Sequence, residues 1–165
     1  MSKTEKDLKE AFAGESQANR KYLAFARQAD KEGFAQAAKM FRAAAEAETI
    51  HAHNHLRALG GIRSTRENLL EAVAGETHEF KNMYPQMIED AQAENMTAAL
   101  RSFTFANAVE KVHAELYQKV LDTLETKGEL FDYWVCNGCG HTVEGEAPER
   151  CEVCGAGKVA FFRVS

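Results

Sequence analysis

The chain has 165 residues, 45% of them hydrophobic and 27% charged, with a formal net charge of −5. That balance excludes intrinsic disorder, and a pI of 5.7 excludes a nucleic-acid binder, which would need a basic face. Residues 1–13 lack the apolar stretch of a secretory signal and no uncharged run is long enough for a bilayer, so a cytoplasmic protein without a membrane partner is expected.

With proline only at positions 85 and 148, long helices are permitted over most of the chain, and punctuation places four of them. Ser2 with Glu5 makes a capping box, and the pattern runs to Gly33. A second helix is predicted from about Phe34 to Leu59, closed by Gly60-Gly61. Ser64 with Glu67 caps the third, which runs past Glu76 toward Asn95. Pro85 is expected to kink or interrupt it, because proline removes a backbone donor and clashes with the preceding turn. The fourth is predicted from about Met96 to Lys127, stopped by Gly128. Four helices joined by short loops predict an up-down bundle, or one with a longer crossing from the second helix to the third.

At about residue 130 the composition changes. The last 35 residues hold five of the eleven glycines, all four cysteines and the single tryptophan. A segment of that size cannot bury an adequate core alone, so residues 131–165 read as a metal-stapled module behind a helical domain over 1–130.

The helical part repeats itself. Ala11-Phe-Ala-Gly-Glu-Ser16 recurs as Ala72-Val-Ala-Gly-Glu-Thr77 at an offset of 61, and Glu48-x-x-His51 recurs as Glu110-x-x-His113 at an offset of 62. This predicts a duplicated helical hairpin with equivalent residues facing one another. A spacing of three puts each Glu and His on one helix face. Phe12 and Tyr22 flank Glu15; Met40, Phe41, Ala44 and Ala47 approach Glu48; Leu69 and Val73 precede Glu76; Phe105 and Val109 approach Glu110. Four glutamates beside apolar stripes are costly unless a cation compensates them. One Glu from each of two helices plus a Glu-x-x-His from each of two others is the ligand pattern of di-iron or di-manganese carboxylate bundles, and oxygen donors with imidazole suit iron or manganese better than thiolate-bound zinc.

The halves differ in one respect. Glu79 follows Glu76 on the same face, whereas Ala18 stands at the matching place after Glu15. One half therefore has a spare carboxylate. Gly14 and Gly75, beside the paired glutamates, are expected to allow a close helix approach or to leave a small space. Tyr22 and Tyr84 are either core aromatics or hydrogen-bond donors to a ligand or bound oxygen species. His53, His55, His78 and His141 match no repeated element and read as solvated or packing residues.

In the tail, Cys136-Asn-Gly-Cys139-Gly140 and Cys151-Glu-Val-Cys154-Gly155 form two Cys-x-x-Cys-Gly knuckles. In a cytoplasmic chain such crowding suggests a metal rather than disulfides, and four thiolates make a tetrahedral site for zinc or iron.

Taken together, Gly14-Glu15-Ser16, Glu48-x-x-His51, Gly75-Glu76-x-x-Glu79, Glu110-x-x-His113 and the two knuckles resemble the rubrerythrin family over almost the whole chain. The resemblance implies a mainly α fold, a four-helix ferritin-like bundle with a small C-terminal rubredoxin-like β module. It implies two irons in a carboxylate site and one iron in the four-cysteine site, where zinc is the alternative. By that similarity Glu48 and Glu110 bridge the two irons. Glu15 is terminal on one, Glu76 and His113 on the other, and Glu79 and His51 exchange as ligands of the first with redox state. Tyr22 and Tyr84 match the family's tyrosines beside the ligands. Two positions depart from the usual pattern: Glu152 stands where proline often follows the third cysteine, and His141 where an aromatic is common. Neither removes a ligand, and both bear on solvent access and potential.

The implied activity is reduction of hydrogen peroxide to water in oxidative-stress defence. Electrons would come from a reduced pyridine nucleotide through a partner reductase or a rubredoxin. Because a short tail at the end of a bundle is not expected to reach its own di-iron centre, a head-to-tail homodimer or higher homo-oligomer is expected. The alternatives are a ferritin-type iron-storage protein, which needs no single-electron relay, and a zinc-loaded structural protein.

Overall fold

Two stretches, residues 1–126 and 130–164, are described in the computed structural model. The expected helix stop at Lys127 and Gly128 lies outside them. Contacts divide the chain into two compact units, 1–63 and 64–165.

The first unit is a helical hairpin of α1 (Lys3–Lys31) and α2 (Ala35–Ala58). Ser2 and Glu5 cap each other's backbone as expected, satisfying donors that the first turn leaves free. The buried residues of the pair are mostly alanines: Ala26 and Ala29 on α1, and Ala38, Ala45 and Ala52 on α2. Their spacing of seven along α2 keeps small side chains on one seam. Asn19, also buried, donates from Nδ2 to the Ala45 carbonyl at 2.7 Å and to Thr49 Oγ1 at 2.8 Å. That pins the middle of α1 to the turn of α2 that carries Glu48. Met40 departs from expectation: it is 63% exposed, outside the buried stripe.

The second unit begins with α3 (Thr65–His78), capped reciprocally by Ser64 and Glu67, and continues through a π-helical turn (Glu79–Met83) into α4 (Tyr84–Ala93). The interruption expected at Pro85 takes this form. Pro85 sits in the first turn of α4, where its missing N–H would be unsatisfied anyway, and the preceding π turn absorbs the break. The long α5 (Thr97–Thr123) packs against α3 and α4 and ends in a 3-10 turn, Leu124–Thr126.

The tail of this unit is a three-stranded antiparallel sheet in the order β2-β1-β3, with β1 Tyr133–Cys136, β2 Thr142–Glu144 and β3 Phe161–Val164. Val135 pairs with Thr142 and Cys136 with Phe161. Its core is minimal: Cys136, Ala147, Cys151 and Phe161, with Trp134 packed against them. Gly140 and Gly155, each directly after the second cysteine of a knuckle, have φ of 85° and 76°. Residues with a Cβ avoid that region, which is why glycine closes both knuckles. An ion pair between Lys119 on α5 and Glu144 on β2 ties the sheet to the helix. The fold is thus mostly helical, with four long helices and a small strand module carrying the cysteines.

Candidate metal centres

The internal repeat becomes two matched clusters, one in each unit. In the first, His51 Nδ1 lies 2.8 Å from Glu48 Oε2 and 3.8 Å from Glu15 Oε1. In the second, His113 Nδ1 lies 2.8 Å from Glu110 Oε2 and 3.8 Å from Glu76 Oε1. The two sets of distances coincide. Each cluster brings a carboxylate from one helix of a pair to a Glu-x-x-His on the other, close enough for one cation to be shared.

The carboxylates are half-buried, with side-chain exposure of 18% at Glu48 and 16% at Glu110. In the second cluster burial has an electrostatic consequence. Glu76 is pushed up to about 7, first by burial and then by its hydrogen bond and repulsion with Glu110, while His113 opposes the shift. Burial raises Glu110 as well. Two acids held this way either share a proton or take a cation, and oxygen with imidazole donors suits iron.

This sets the sign of a pH effect. Glu76's folded-state value lies above its ordinary 4.5, so the metal-free fold binds the proton more tightly than the unfolded chain. The resulting stability is fully present below the ordinary value and is lost as pH rises through about 7. Scanning calorimetry of the metal-free protein should show the melting temperature falling between about pH 5 and pH 8 from this group, with the fall removed once metal replaces the proton. A metal-free melting temperature that rises over that window would contradict the assignment.

The remaining expected residues are placed as follows. Glu79 is the first residue of the π turn and belongs to neither three-residue cluster, but its charge helps raise Glu110 and Tyr84. Tyr84 is half-buried and held above the usual phenol range by burial, then by the charges of Glu110, Glu79 and Glu76, so its hydroxyl stays protonated and able to donate. Tyr22 packs with Phe25 and Phe41, at ring-centre distances of 6.4 and 6.2 Å. A Cβ on Gly14 or Gly75 would meet no described atom within 4 Å. Open space, not a close helix approach, is what they leave.

The four cysteines are free thiols gathered at one point. Cys136 Sγ lies 3.7 Å from Cys154 Sγ, and Cys139 Sγ lies 3.6 Å from Cys151 Sγ. A tetrahedron with metal–sulfur bonds of about 2.3 Å has edges of about 3.8 Å, so the donor set fits zinc or iron without rearrangement. The two knuckles share one backbone plan. The amides of Gly140 and Gly155 donate to the carbonyls of Cys136 and Cys151 at 2.8 and 2.9 Å. Backbone N–H groups also point at sulfur: Ala156 draws the Cys154 thiol down to about 7, whereas burial raises Cys136 and Cys139.

Sequence reasoning noted His141 and Glu152 as separate departures from the usual pattern. They are partners. His141, side chain 3% exposed, has its Nε2 3.2 Å from a carboxylate oxygen of Glu152. Burial lowers its basicity, and its Nδ1 has no partner among the described residues. Sequence reasoning missed Thr142 altogether. Its Oγ1 lies 2.9 Å from His113 Nε2, so the cysteine module touches a residue of the second cluster in its own chain. The cysteine module thus lies along α5, against one of the two clusters of its own chain. No motif spacing announces this contact.

Matched Glu/Glu/His clusters on paired helices, joined to a four-thiolate module, define a non-haem iron protein with a carboxylate di-iron site and a rubredoxin-like site. The chain belongs to the rubrerythrin family, whose model matches residues 6–121, while the model of the rubrerythrin rubredoxin-like domain matches 134–162. It is 37% identical to the rubrerythrin of Porphyromonas gingivalis, covering 98% of this chain and 89% of that protein. With the rubrerythrin of Nitratidesulfovibrio vulgaris it shares 34% identity, over 97% and 93% of the two chains. Among solved structures, the mixed-valence state of nigerythrin matches with a TM-score of 0.60 and 32% identity, covering 99% of this chain and 88% of the other. Rubrerythrins are oxidoreductases. Among the described residues no helix is long and apolar enough to cross a membrane.

Proposed function

We propose that this protein is a non-haem di-iron peroxidase that reduces hydrogen peroxide to water in oxidative-stress defence. Residues 1–130 hold the two irons, and residues 131–165 hold the single iron through which a reductase or rubredoxin, fed by NAD(P)H, supplies electrons. The observation that carries the reading is the pairing of two matched carboxylate–imidazole clusters with a four-thiolate module seated on one of them. A donor set without a relay would suit iron storage equally well; the contact at His113 favours the peroxidase.

The bound irons would supply two reducing equivalents and Lewis acidity, as H2O2, two electrons and two protons become two waters. The chain's own residues then have distinct tasks. Glu48 and Glu110 would hold the irons as the bridges and Glu15 and Glu76 as the terminal carboxylates, together balancing the metals' charge. His113 is a fixed ligand. Glu79 and His51 are exchanging ligands. His51 suits that task because its side chain is 52% exposed, against 27% for His113. Tyr84 keeps its proton beside three carboxylates, which leaves its hydroxyl able to donate to a ligand.

Metal analysis together with an anaerobic peroxide titration of the reduced protein tests this. Three irons per chain, a red colour that bleaches on reduction, and one peroxide consumed per reduced di-iron pair are expected. A colourless zinc protein that leaves peroxide untouched would instead establish the structural alternative.

A further inference from the structure

The hydrogen bond between the two modules has a direction that can be deduced. Thr142 Oγ1 lies 3.1 Å from the carbonyl of Gly140 and 2.9 Å from His113 Nε2. A hydroxyl has one proton, and a carbonyl can only accept, so that proton goes to Gly140. Thr142 must then accept from His113, which puts a proton on Nε2. The other ring nitrogen, Nδ1, is the one turned to Glu110 and Glu76. His51 makes no comparable bond from Nε2 among the described residues.

We propose that Thr142 is a positioning residue for the di-iron site. From within the cysteine module, it fixes the ring orientation and tautomer of His113 so that the Nδ1 lone pair faces the metal. The proposal rests on the reading of His113 as an iron ligand. Metal-bound histidines commonly need such an outer partner to hold tautomer and ring angle. Here the partner is held in turn by the module's own geometry. The β1–β2 register sets Thr142 opposite Val135, and the left-handed turn at Gly140 aims its carbonyl at the hydroxyl. Leu116, Tyr117, Val120 and Tyr133 line a cavity of ≈ 310 Å³ beside the pair. Its apolar walls strengthen a hydrogen bond by lowering the local dielectric. One consequence is that correct folding of the cysteine module prepares a ligand of the other metal site, whereas His51 is held only from its Nδ1 side among the described residues.

Ring 15N NMR of the full-length chain tests this, first metal-free and then loaded with zinc, on wild type, Thr142→Ser and Thr142→Val. Wild type and the serine variant should carry a solvent-protected proton on His113 Nε2, and loading should shift the Nδ1 signal. The valine variant, nearly the same shape, should lose that protection. Its zinc affinity at the histidine clusters should fall about 10- to 100-fold, with the absorption of the iron-loaded cysteine site unchanged. Retained protection or unchanged affinity in the valine variant overturns the proposal. So does a wild-type metal-free ring whose Nε2 bears no proton, a result that needs no variant to fold. If loading leaves the His113 Nδ1 signal unmoved in wild type, His113 is no ligand, and the proposal falls with that assignment rather than on its own.

Discussion

Glu110→Ala is expected to empty the di-iron site. Glu110 is the most buried carboxylate of its cluster, 2.8 Å from His113 Nδ1, and in the proposed assignment its two oxygens serve both irons. Removing it also leaves the metals with one carboxylate charge fewer to offset their own. Iron in the helical part should fall from two to less than one per chain. Peroxide turnover should fall by at least about 100-fold, since even outer-sphere changes at metal sites reach that size. The four-cysteine site should keep its full iron, giving an internal standard in the same metal analysis. Tyr22→Phe is the control: it removes a hydroxyl from a half-buried ring cluster and should keep both irons and most of the rate. Two irons and full turnover in Glu110→Ala would exclude it as a bridge.

Cys139→Ser should separate the two activities of the chain. The thiol is one corner of a set whose sulfurs stand 3.6 and 3.7 Å apart in pairs, and a serine oxygen neither reaches nor softens to match it. The bundle ligands lie on other elements, so chemically reduced variant should still consume one peroxide rapidly. Sustained turnover through a reductase should drop by about 100-fold or more, comparable to the loss of a metal-site ligand sphere. Stopped-flow single-turnover and steady-state traces on one sample decide between the roles. Equal losses would mean that the module serves the helical site structurally and not as a relay. Unchanged steady-state turnover would mean that it relays nothing.

The helices were legible because their limits are local chemistry. Ser2 with Glu5 and Ser64 with Glu67 close capping boxes within one turn, and Pro85 can only start a helix or break one. The clusters were legible for a related reason. Glu48 and His51, or Glu110 and His113, share a face by helical spacing, and repetition at a nearly constant offset separates a ligand pattern from a chance pair. Glu79 shows where that reasoning stops. Its spacing from Glu76 puts both acids on one face of a regular helix, but the chain enters a π turn at Glu79, so helical spacing alone no longer sets where its carboxylate lies relative to Glu76.

The sequence by itself therefore determined the helix limits, the matched donor sets and the two knuckles, since each depends on residues within a few positions or on an internal copy. Tertiary structure alone decided three other features. These are the pairing of His141 with Glu152, the burial that lifts Glu76 to about 7, and the seating of Thr142 on His113. The last joins residues 29 apart in the chain through a hydrogen bond less than 3 Å long. Such a bond depends on how a three-stranded sheet lies along a helix, and that is settled by packing over both surfaces, not by any spacing written in the residues themselves.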